Sequence, residues 1–537
     1  MIRTLLSIFL GVLCLSPVFS QENFDSSPLP IIVLNTQGQE ILDDPRIIAR
    51  MGIISNEDGN RNLLSAPFSE YDGRISIEIR GSSSQFFPKK GFGLETQLED
   101  GSNRNVSLLG MPRENDWILH GPFSDKSLLR NHLAFQLGRK LSQYAPRTRL
   151  VELMINNEYQ GVYVFMEKIK RDKNRVDIAR LESTQSLGDT ISGGYIIKLD
   201  KGTGSGEGDG WTSSEGSFFQ YEYPKPEDIN FVQERYIRSY VDSLEAALFG
   251  INYQDPEEGF RKYLDVPSFV DYILLNEVTK NVDGYRLSTF FNKERGGKLK
   301  AGPIWDYNLA FGNANYCSGA SPIGWGLNFN RSCPLDGWTI NTYWDRLLTD
   351  PAFGQALIDR WTELRQGSFH TDSVLNLMND FLVELDDAPA RNFDRWPILN
   401  TWVWPNVEVG GSYQAEINYL RTWIRERLEW MDTSIPQIAK EVLGPNSRPL
   451  VRLSPNPFQE SVNISITSNV SDQLSMWVLD LQGKLIRELA IERTEGYTQV
   501  YSWDGKTREG KELSAGIYLY RLTNGSEVIE SGKLIKQ

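Results

Sequence analysis

Residues 281–316 read NVDGYRLSTFFNKERGGKLKAGPIWDYNLAFGNANY, and this stretch contains two isolated aspartates, Asp283 and Asp306. Each lies at the edge of an apolar or aromatic run, and a predicted strand at 288–292 and a basic turn at 293–298 separate them. The neighbours of Asp306 favour burial, so a solvated surface charge explains this carboxylate poorly. Such a carboxylate is either a hydrogen-bonded structural pivot or a metal ligand, and both interpretations remain open at this point.

The N-terminal residues 1–20 have the pattern of a secretory signal peptide. A positively charged start precedes an apolar core at 5–15 and a small-residue cleavage site at 18–20. The core is too short for a lasting membrane span, and no later stretch reaches that length, so we expect no transmembrane segment in the mature chain. The formal net charge of −14 argues against nucleic acid as the main partner, because phosphate binding needs a basic face.

The cysteines indicate one disulfide. Cys14 leaves with the signal peptide, and the remaining two, Cys317 and Cys333, bracket a loop rich in Gly, Ser and Asn. In an exported protein we expect these two to be joined, with two reduced thiols as the alternative. A zinc site is not expected, because the histidines show no ligand spacing; they are His120, His132 and His370.

The predicted fold is α+β, with a β-rich N-terminal part and a helical part after it. Residues 21–70 form an N-terminal β segment, and Ile75, Ile77 and Ile79 then alternate with polar residues as in a half-buried strand. From about residue 447, short alternating patterns between turns predict a small β-sandwich at 447–537. Amphipathic patterns predict the main helices, at 228–248, from 265, at 351–365, 372–385 and 413–431.

Three further features are candidates for a site. The Gly/Ser turn at 80–84 offers backbone N–H groups, and Lys89 and Lys90 add positive charge, which suits a phosphate; a Ser-rich hairpin is the commoner explanation. Glu167 ends the apolar strand at 159–167, where it either points into a cleft or is solvated. The clustered tryptophans either line a sugar site or pack a helical core; they are Trp396, Trp402, Trp404, Trp423 and Trp430.

Three motifs in this order resemble the spore coat protein H (CotH) kinase family. They are RGSSS with FPKK at 80–90, YQGVY with a later Glu at 159–167, and WDYNLAFGN at 305–313. The resemblance covers roughly 70–430, and we assign 71–440 to this domain. It implies an atypical protein-kinase-like fold that binds ATP with Mg²⁺ or Mn²⁺ and phosphorylates exposed serines of a partner protein.

The resemblance also implies roles for individual residues. Asp306 corresponds to the metal-binding aspartate of the family's Trp-Asp motif, and Asp283 to the aspartate that orients or deprotonates the incoming serine. Many members have a second aspartate where this chain has Asn308. An amide oxygen can still bind a metal but carries no charge, which weakens a second metal site.

The same resemblance assigns the phosphate side of the site. Arg80, Ser83 and Lys90, with Lys89 as the substitute, are expected to contact the nucleotide, because phosphoryl transfer needs neutralisation of the phosphate charge. Glu167 is expected to pair with a lysine and to support catalysis, as the corresponding glutamate of a kinase does.

The last part of the chain resembles the sorting domain of type IX secretion cargo. The matching motifs are SPNPF at 454–458, WVLDLQGK at 477–484, WDG at 503–505, AGIY at 515–518 and GKLIK at 532–536. This resemblance implies a Bacteroidetes-type cell, Sec export, and contact of residues 447–537 with the type IX machinery. A secreted or cell-surface protein is therefore expected.

Three functions remain in view. The first is an exported, ATP- and Mg²⁺-dependent protein-serine kinase. The second is a catalytically weak or inactive surface scaffold or adhesion protein with the same fold, which the asparagine at 308 favours. The third is a carbohydrate-active enzyme, which requires two carboxylates that face each other across a sugar.

Overall fold

The computed structural model describes residues 24–56, 59–202, 208–443, 450–467, 474–490, 498–524 and 527–537. The predicted signal peptide at 1–20 lies outside these residues. The fold is α+β, with a β-rich N-terminal part, a helical part and C-terminal strands, as the sequence predicts. Among the helices of the described ranges, none combines the length and the apolar character that a membrane crossing requires.

The N-terminal strands build a closed barrel. The strands of this part are β1 (Ser26–Ser27), β2 (Ile31–Asn35), β3 (Ile47–Ile54), β4 (Asn62–Leu63), β5 (Tyr71–Arg80), β6 (Gly91–Gln97), β7 (Val106–Leu108), β8 (Met111–Glu114), β9 (Asp116–His120), β10 (Thr148–Ile155) and β11 (Glu158–Glu167). The order in the barrel is β10-β11-β9-β6-β5-β3-β2, and only the β10–β2 pairing in it is parallel. Because β2 and β3 are barrel strands, the boundary predicted at residue 70 falls inside the barrel.

The alternation predicted for β5 is present and determines what faces outward. Ile75 and Ile77 are fully buried in the apolar cluster of the barrel, together with Trp117 of β9 and Phe165 of β11. Residues of opposite parity, such as Arg80 at the end of β5, belong to the outer face. The barrel therefore presents polar side chains to the part of the chain that follows it.

A second sheet and the helices share one large core. The sheet has the order β13-β14-β12-β15-β16, with strands β12 (Tyr195–Leu199), β13 (Gly210–Thr212), β14 (Phe218–Tyr223), β15 (Thr289–Lys293) and β16 (Leu299–Ala301). The helices are α1 (Arg130–Gly138), α2 (Phe231–Phe249), α3 (Val266–Thr279), α4 (Phe329–Ser332), α5 (Tyr343–Leu348), α6 (Pro351–Arg365), α7 (Thr371–Leu385), α8 (Ala388–Arg395), α9 (Tyr413–Ser434) and α10 (Ile438–Leu443). Side chains from β12, β15, α3 and α9 lie in the same apolar cluster.

Helix α3 lies at the centre of this core and ends at the first aspartate segment. Asp265 caps its start by accepting the N–H of Ser268 at 3.0 Å, and a proline occupies its first turn. Lys280 ends the helix in the left-handed conformation with φ of 43°. The chain then turns directly into Asn281 and Asp283.

A buried ion pair joins α3 to α9. The carboxylate of Glu277 and the guanidinium of Arg427 are 3.0 Å apart, and both side chains are fully buried. Glu277 also accepts hydrogen bonds from the backbone N–H groups of Gly326 and Leu327, at 2.7 and 3.0 Å. Neither partner has access to water, so both pay a desolvation cost. Their opposite charges and these hydrogen bonds offset that cost.

The loop after this region contains the expected disulfide. Cys317 and Cys333 are joined, with their Cα atoms 5.2 Å apart. The prediction of a disulfide is confirmed, and the alternative of two reduced thiols does not apply to this structure.

The C-terminal strands form two sheets with one apolar cluster. Their orders are β17-β18-β21 and β20-β19-β22-β23, with β17 (Leu450–Ser454), β18 (Val462–Thr467), β19 (Leu474–Leu479), β20 (Leu485–Ala490), β21 (Thr498–Trp503), β22 (Gly516–Asn524) and β23 (Glu527–Lys536). Ile464 and Trp503 of the first sheet cluster with Val478 and Leu522 of the second. This part has its own buried apolar side chains.

We predict that Arg427→Met destabilises the fold by about 3–5 kcal/mol, because it leaves the Glu277 carboxylate buried without its counter-charge. Chemical unfolding of the two proteins measures the difference. Arg50→Met is the matched control, since Arg50 is half exposed and pairs only with exposed carboxylates; its cost should stay below about 1 kcal/mol. Equal effects of the two substitutions would contradict the role of the buried pair.

Candidate functional site

A cleft of about 530 Å³ lies between the outer face of the barrel and the segments that carry the two aspartates. Arg80, Ser83, Asp283, Asp306 and Asn308 all line it. Five of the eight predicted site residues are therefore brought together, although more than 220 positions separate the first from the last in the chain. Their catalytic and binding roles stay predictions.

The Gly/Ser turn forms one wall of the cleft. Gly81 has φ of +114°, and a Cβ there would lie 2.0 Å from the hydroxyl of Ser84, so only glycine fits. The turn continues into a short 3-10 helix at Ser83–Phe86, and the backbone N–H of Gln85 bonds back to the carbonyl of Ser82 at 3.2 Å. Ser82 and Ser83 are exposed towards the cleft, with hydroxyls available to a ligand.

Asp283 lies in the turn that follows α3. Its carboxylate accepts a hydrogen bond from the guanidinium of Arg286 at 2.7 Å. Burial raises the pKa of Asp283, while Arg286 and Lys201 lower it. The side chain keeps 22% of its surface exposed and lines the cleft.

Asp306 is held in an unusual backbone conformation, with φ of 60°. Aspartate tolerates this left-handed region better than most residues do, but the conformation still costs free energy. Two hydrogen bonds hold the backbone here: the Asn281 amide donates to the Asp306 carbonyl at 3.1 Å, and the Tyr307 N–H donates to Asn131 at 3.0 Å. The first of these bonds ties the two aspartate segments together.

The two aspartates line the same cleft, and the charge of Asp283 acts on Asp306. Burial, together with the carboxylates of Asp283 and Asp200, raises the pKa of Asp306 to about 7, against the lowering effect of Arg80 and Lys201. The cleft thus holds mutually repelling carboxylates in a poorly solvated place, an arrangement that a bound cation would relieve.

Lys168 is a cleft lysine that the sequence analysis missed. Successive side chains of a strand point to opposite faces, so Met166 and Lys168 border the cleft and Glu167 faces away from it. The ammonium of Lys168 lies 3.7 Å from the carboxylate of Asp116, which also lines the cleft. Burial lowers the pKa of Lys168, and Asp116 opposes that shift.

Glu167 does not have the lysine partner that was expected, because arginine and tyrosine side chains bind its carboxylate. Its fully buried carboxylate binds the guanidinium and the backbone N–H of Arg147, at 3.0 and 2.8 Å, and accepts from the hydroxyl of Tyr144 at 3.0 Å. Arg175 approaches it at 3.9 Å. Glu167 therefore holds protein segments together and does not face the cleft.

The two predicted phosphate lysines are also placed elsewhere. Lys89 is 2% exposed, and its ammonium donates to the carbonyl of Val162 and the side chain of Asn392, at 2.6 and 2.7 Å. Lys90 donates to the carbonyl of Gln85. Neither lines the cleft. Both lysines lie just before β6, where Lys89 is buried against Val162 and Asn392 and Lys90 is half-buried against Gln85.

Asp200, Lys201 and His120 also line the cleft without having been predicted as site residues. Asp200 and Lys201 follow β12 directly, and a charged pair just after an apolar strand is a signal that the sequence did contain. His120 ends β9, and its Nε2 is buried without a hydrogen-bond partner. Burial lowers the pKa of His120 to about 4, so this imidazole is neutral at physiological pH.

The donor set of the cleft suits a hard cation. Carboxylate and amide oxygens of Asp306, Asp283 and Asn308 are ligands that Mg²⁺ accepts, and Mg²⁺ completes its shell with water and phosphate oxygens. Within the described ranges, no three His, Cys, Asp or Glu side chains come close enough together to hold a metal by themselves. The residues therefore fit a cation that a phosphate ligand helps to bind, rather than an all-protein cage.

We predict that Asp306→Asn stabilises the free protein, and more so at about pH 8 than at about pH 5. The folded-state pKa of about 7 lies above the value of about 4 for an unfolded aspartate, so the wild-type fold loses stability as the pH rises through this window. The variant has no such loss. Thermal unfolding in a buffer with a chelator measures the stability of the wild type and the variant at each pH. Asp359→Asn, at an exposed position of α6, is the control, and a pH-independent effect of Asp306→Asn would contradict the prediction.

The family comparisons agree with the resemblance drawn from the motifs. The family model described as CotH kinase protein matches residues 77–431, and the model of the secretion system C-terminal sorting domain matches residues 452–537. No curated protein matches the chain.

Two of the solved structures that match the chain do so over a short segment. Dimeric latent PorU from Porphyromonas gingivalis is 28% identical over 16% of this chain and 9% of that chain, with a TM-score of 0.15. PorZ, a surface component of the type IX secretion system of the same organism, is 18% identical over 16% of this chain and 11% of that chain, with a TM-score of 0.13. These likenesses carry no argument about this fold.

The two family matches cover different parts of the chain and concern different properties of the protein. The C-terminal sorting domain directs the protein to type IX secretion, and so to the cell surface or the surrounding medium. The first match spans more than half of the 537 residues and includes the cleft with its two aspartates. The chain belongs to the CotH kinase protein family.

Proposed function

We propose that this protein is an exported protein-serine kinase that uses ATP with Mg²⁺ or Mn²⁺. One observation carries the proposal: the Gly/Ser turn and the two aspartates line the same cleft from different sides. Phosphoryl transfer needs a phosphate-binding wall, a cation site and a group that orients the acceptor hydroxyl, all within a few ångströms of each other. The cleft has a candidate for each.

The phosphate wall consists of the turn after β5 and the nearby cations. Arg80 and Ser83 line the cleft, and Gly81 lets the chain turn between them. Lys168 takes the role first expected of Lys90 or Lys89, since its ammonium lies in the cleft and is held by Asp116. Lys168 and Asp116 would form the lysine–carboxylate pair that Glu167 does not provide.

Asp306 and Asn308 would hold the cation on the phosphates. The cation supplies charge neutralisation on the transferred phosphoryl group when it is bound. Asp306 contributes a full negative charge and Asn308 only a carbonyl oxygen, so one metal is better supported than two.

Asp283 would orient the acceptor serine and take its proton. The hydrogen bond from Arg286 leaves one carboxylate oxygen uncommitted, and that oxygen is the one available to a hydroxyl. Its raised pKa makes it a somewhat stronger base than an ordinary aspartate.

The architecture is compatible with this chemistry. We interpret the barrel and the helical part as the two lobes of an atypical kinase-like fold, with the cleft between them. The two C-terminal sheets with their common apolar cluster would be a small β-sandwich that contacts the type IX machinery.

A second function is supported by a separate observation. Asn308 replaces a carboxylate, and the described residues contain no cluster that holds a metal without help. A surface scaffold that has kept the fold and lost catalysis would show the same features. Nucleotide binding and phosphate transfer separate the two functions.

We predict Mg²⁺-dependent ATP binding by the mature full-length protein, and a loss of at least about tenfold in affinity for Asp306→Ala. The reason is the removal of the charged cation ligand. Calorimetric titration with ATP, with and without Mg²⁺, is the measurement, and Asp359→Ala is the control, which should bind like wild type. ATP binding that ignores both Mg²⁺ and Asp306 would refute the cation site.

We predict that Asp283→Asn lowers phosphate transfer to serine peptides about a hundredfold or more and leaves ATP affinity nearly unchanged. The amide keeps the bond to Arg286 but cannot accept the serine proton. Incorporation of labelled phosphate into a mixed-sequence serine peptide library measures the rate. A wild-type protein that binds ATP and transfers nothing would favour the scaffold.

A further inference from the structure

One exposed apolar side chain lines the cleft near Asp283, and two more lie on a loop that is bonded to Arg286, the partner of Asp283; the phosphate chemistry uses none of them. We propose that these side chains, Trp404, Trp338 and Leu335, form a docking rim for the acceptor polypeptide and select serines flanked by large apolar residues. The inference rests on the proposed kinase function and names the substrate class of that same site.

Trp404 is the central residue of this rim. It lines the cleft and is 44% exposed, an unusual position for so large an apolar side chain. Tyr316 stacks against one face of the indole, with ring centroids 6.1 Å apart and planes at 10°. Trp423, in the same part of the chain, is buried in the core, whereas nearly half of Trp404 stays at the surface.

The loop of Trp404 is held firmly in place. The carbonyl of Pro405 accepts the N–H of Asn315 at 3.0 Å, and the amide of Asn406 donates to the carbonyl of Ser124 and to Asn313, at 2.7 and 3.1 Å. An aromatic side chain on a fixed loop loses little conformational freedom on binding, which is typical of interface hot spots.

The stack lies beside the aspartates. The pKa of Tyr316 is raised by burial first and by Asp283 next, with a smaller effect of Asp306. In the proposed reaction Asp283 meets the acceptor hydroxyl, so a ligand on Trp404 at this end is the acceptor chain and not the nucleotide.

A second loop with exposed apolar side chains is bonded to the partner of Asp283. Arg286, the partner of Asp283, also binds the carbonyl of Trp338 at 3.0 Å and the carboxylate of Asp336 at 3.4 Å. Leu335 is 97% exposed and Trp338 is 39% exposed. The Cys317–Cys333 disulfide joins this loop to the residue after Tyr316. Both loops are thus connected to the Asp283 site.

The charges at this end disfavour an acidic flank. Arg286 is already engaged by Asp283 and Asp336, so it does not offer a free cation to an acidic acceptor. Asp200 and Asp306 add negative charge, which repels acidic flanking residues. Exposed apolar groups on two fixed loops mark a partner site, and an aromatic or long aliphatic side chain is the complement that they fit.

The test uses the mature full-length protein and short peptides with one central serine flanked by phenylalanine, alanine, lysine or aspartate. We expect the phenylalanine peptide to have the highest kcat/KM, and Trp404→Ala to lower that value about tenfold with unchanged ATP affinity. Trp404→Phe should restore most of it. Phe231→Ala changes another exposed aromatic residue, one that does not line the cleft, and should have no effect.

The proposed docking rim would be refuted by a higher kcat/KM for the lysine or aspartate peptide. It would also be refuted if Trp404→Ala left kcat/KM unchanged or lowered the affinity for ATP in parallel. Binding of a fluorescent phenylalanine-flanked peptide, with alanine in place of serine, is measured without nucleotide. Peptide binding that depends on Trp404 in a protein without phosphate transfer would refute the kinase function and support the rim. Phosphate transfer by a protein whose peptide binding does not depend on Trp404 would support the kinase function and refute the rim.

Discussion

The cleft depends on two carboxylates being kept close together although they repel each other. Burial and mutual repulsion raise the pKa of Asp306 to about 7. The protein offsets this cost with hydrogen bonds between the two segments. The side-chain amide of Asn281 donates to the Asp306 carbonyl, and the N–H of Phe311 donates to the carbonyl of Thr279 at 2.7 Å. Such a local loss of stability is typical of functional sites, where stability and activity compete.

The rest of the helical part acts as a rigid support for this arrangement. The buried pair of Glu277 and Arg427 fixes α3 against α9, and α3 delivers Asp283 to the cleft. Arg130, buried with Asp125 at 2.7 Å, also reaches the carbonyl of Phe311 at 3.4 Å. Each of these contacts joins segments far apart in the chain, so the geometry of the cleft belongs to the whole domain and not to one motif.

Much of the fold was predictable from the sequence because local patterns carry it. The alternation around Ile75 and Ile77 predicted a half-buried strand, and the apolar stripes predicted the long helices close to their observed bounds. The closure of the barrel was not predictable. Strands 31–35 and 148–155 pair in parallel although more than a hundred residues separate them, and periodicity says nothing about which strands become neighbours.

The sequence by itself determined the chemistry that the chain has available: two isolated aspartates in apolar surroundings, a Gly/Ser turn, a sorting tail and a pair of cysteines. Only the tertiary structure decided which charged groups share the cleft. It placed Lys168 there and turned Glu167 away, because neighbouring strand residues face opposite sides, and it buried Lys89 against Asn392, which lies more than three hundred positions away. Such contacts are set by packing between distant segments, and no local pattern of residues records them.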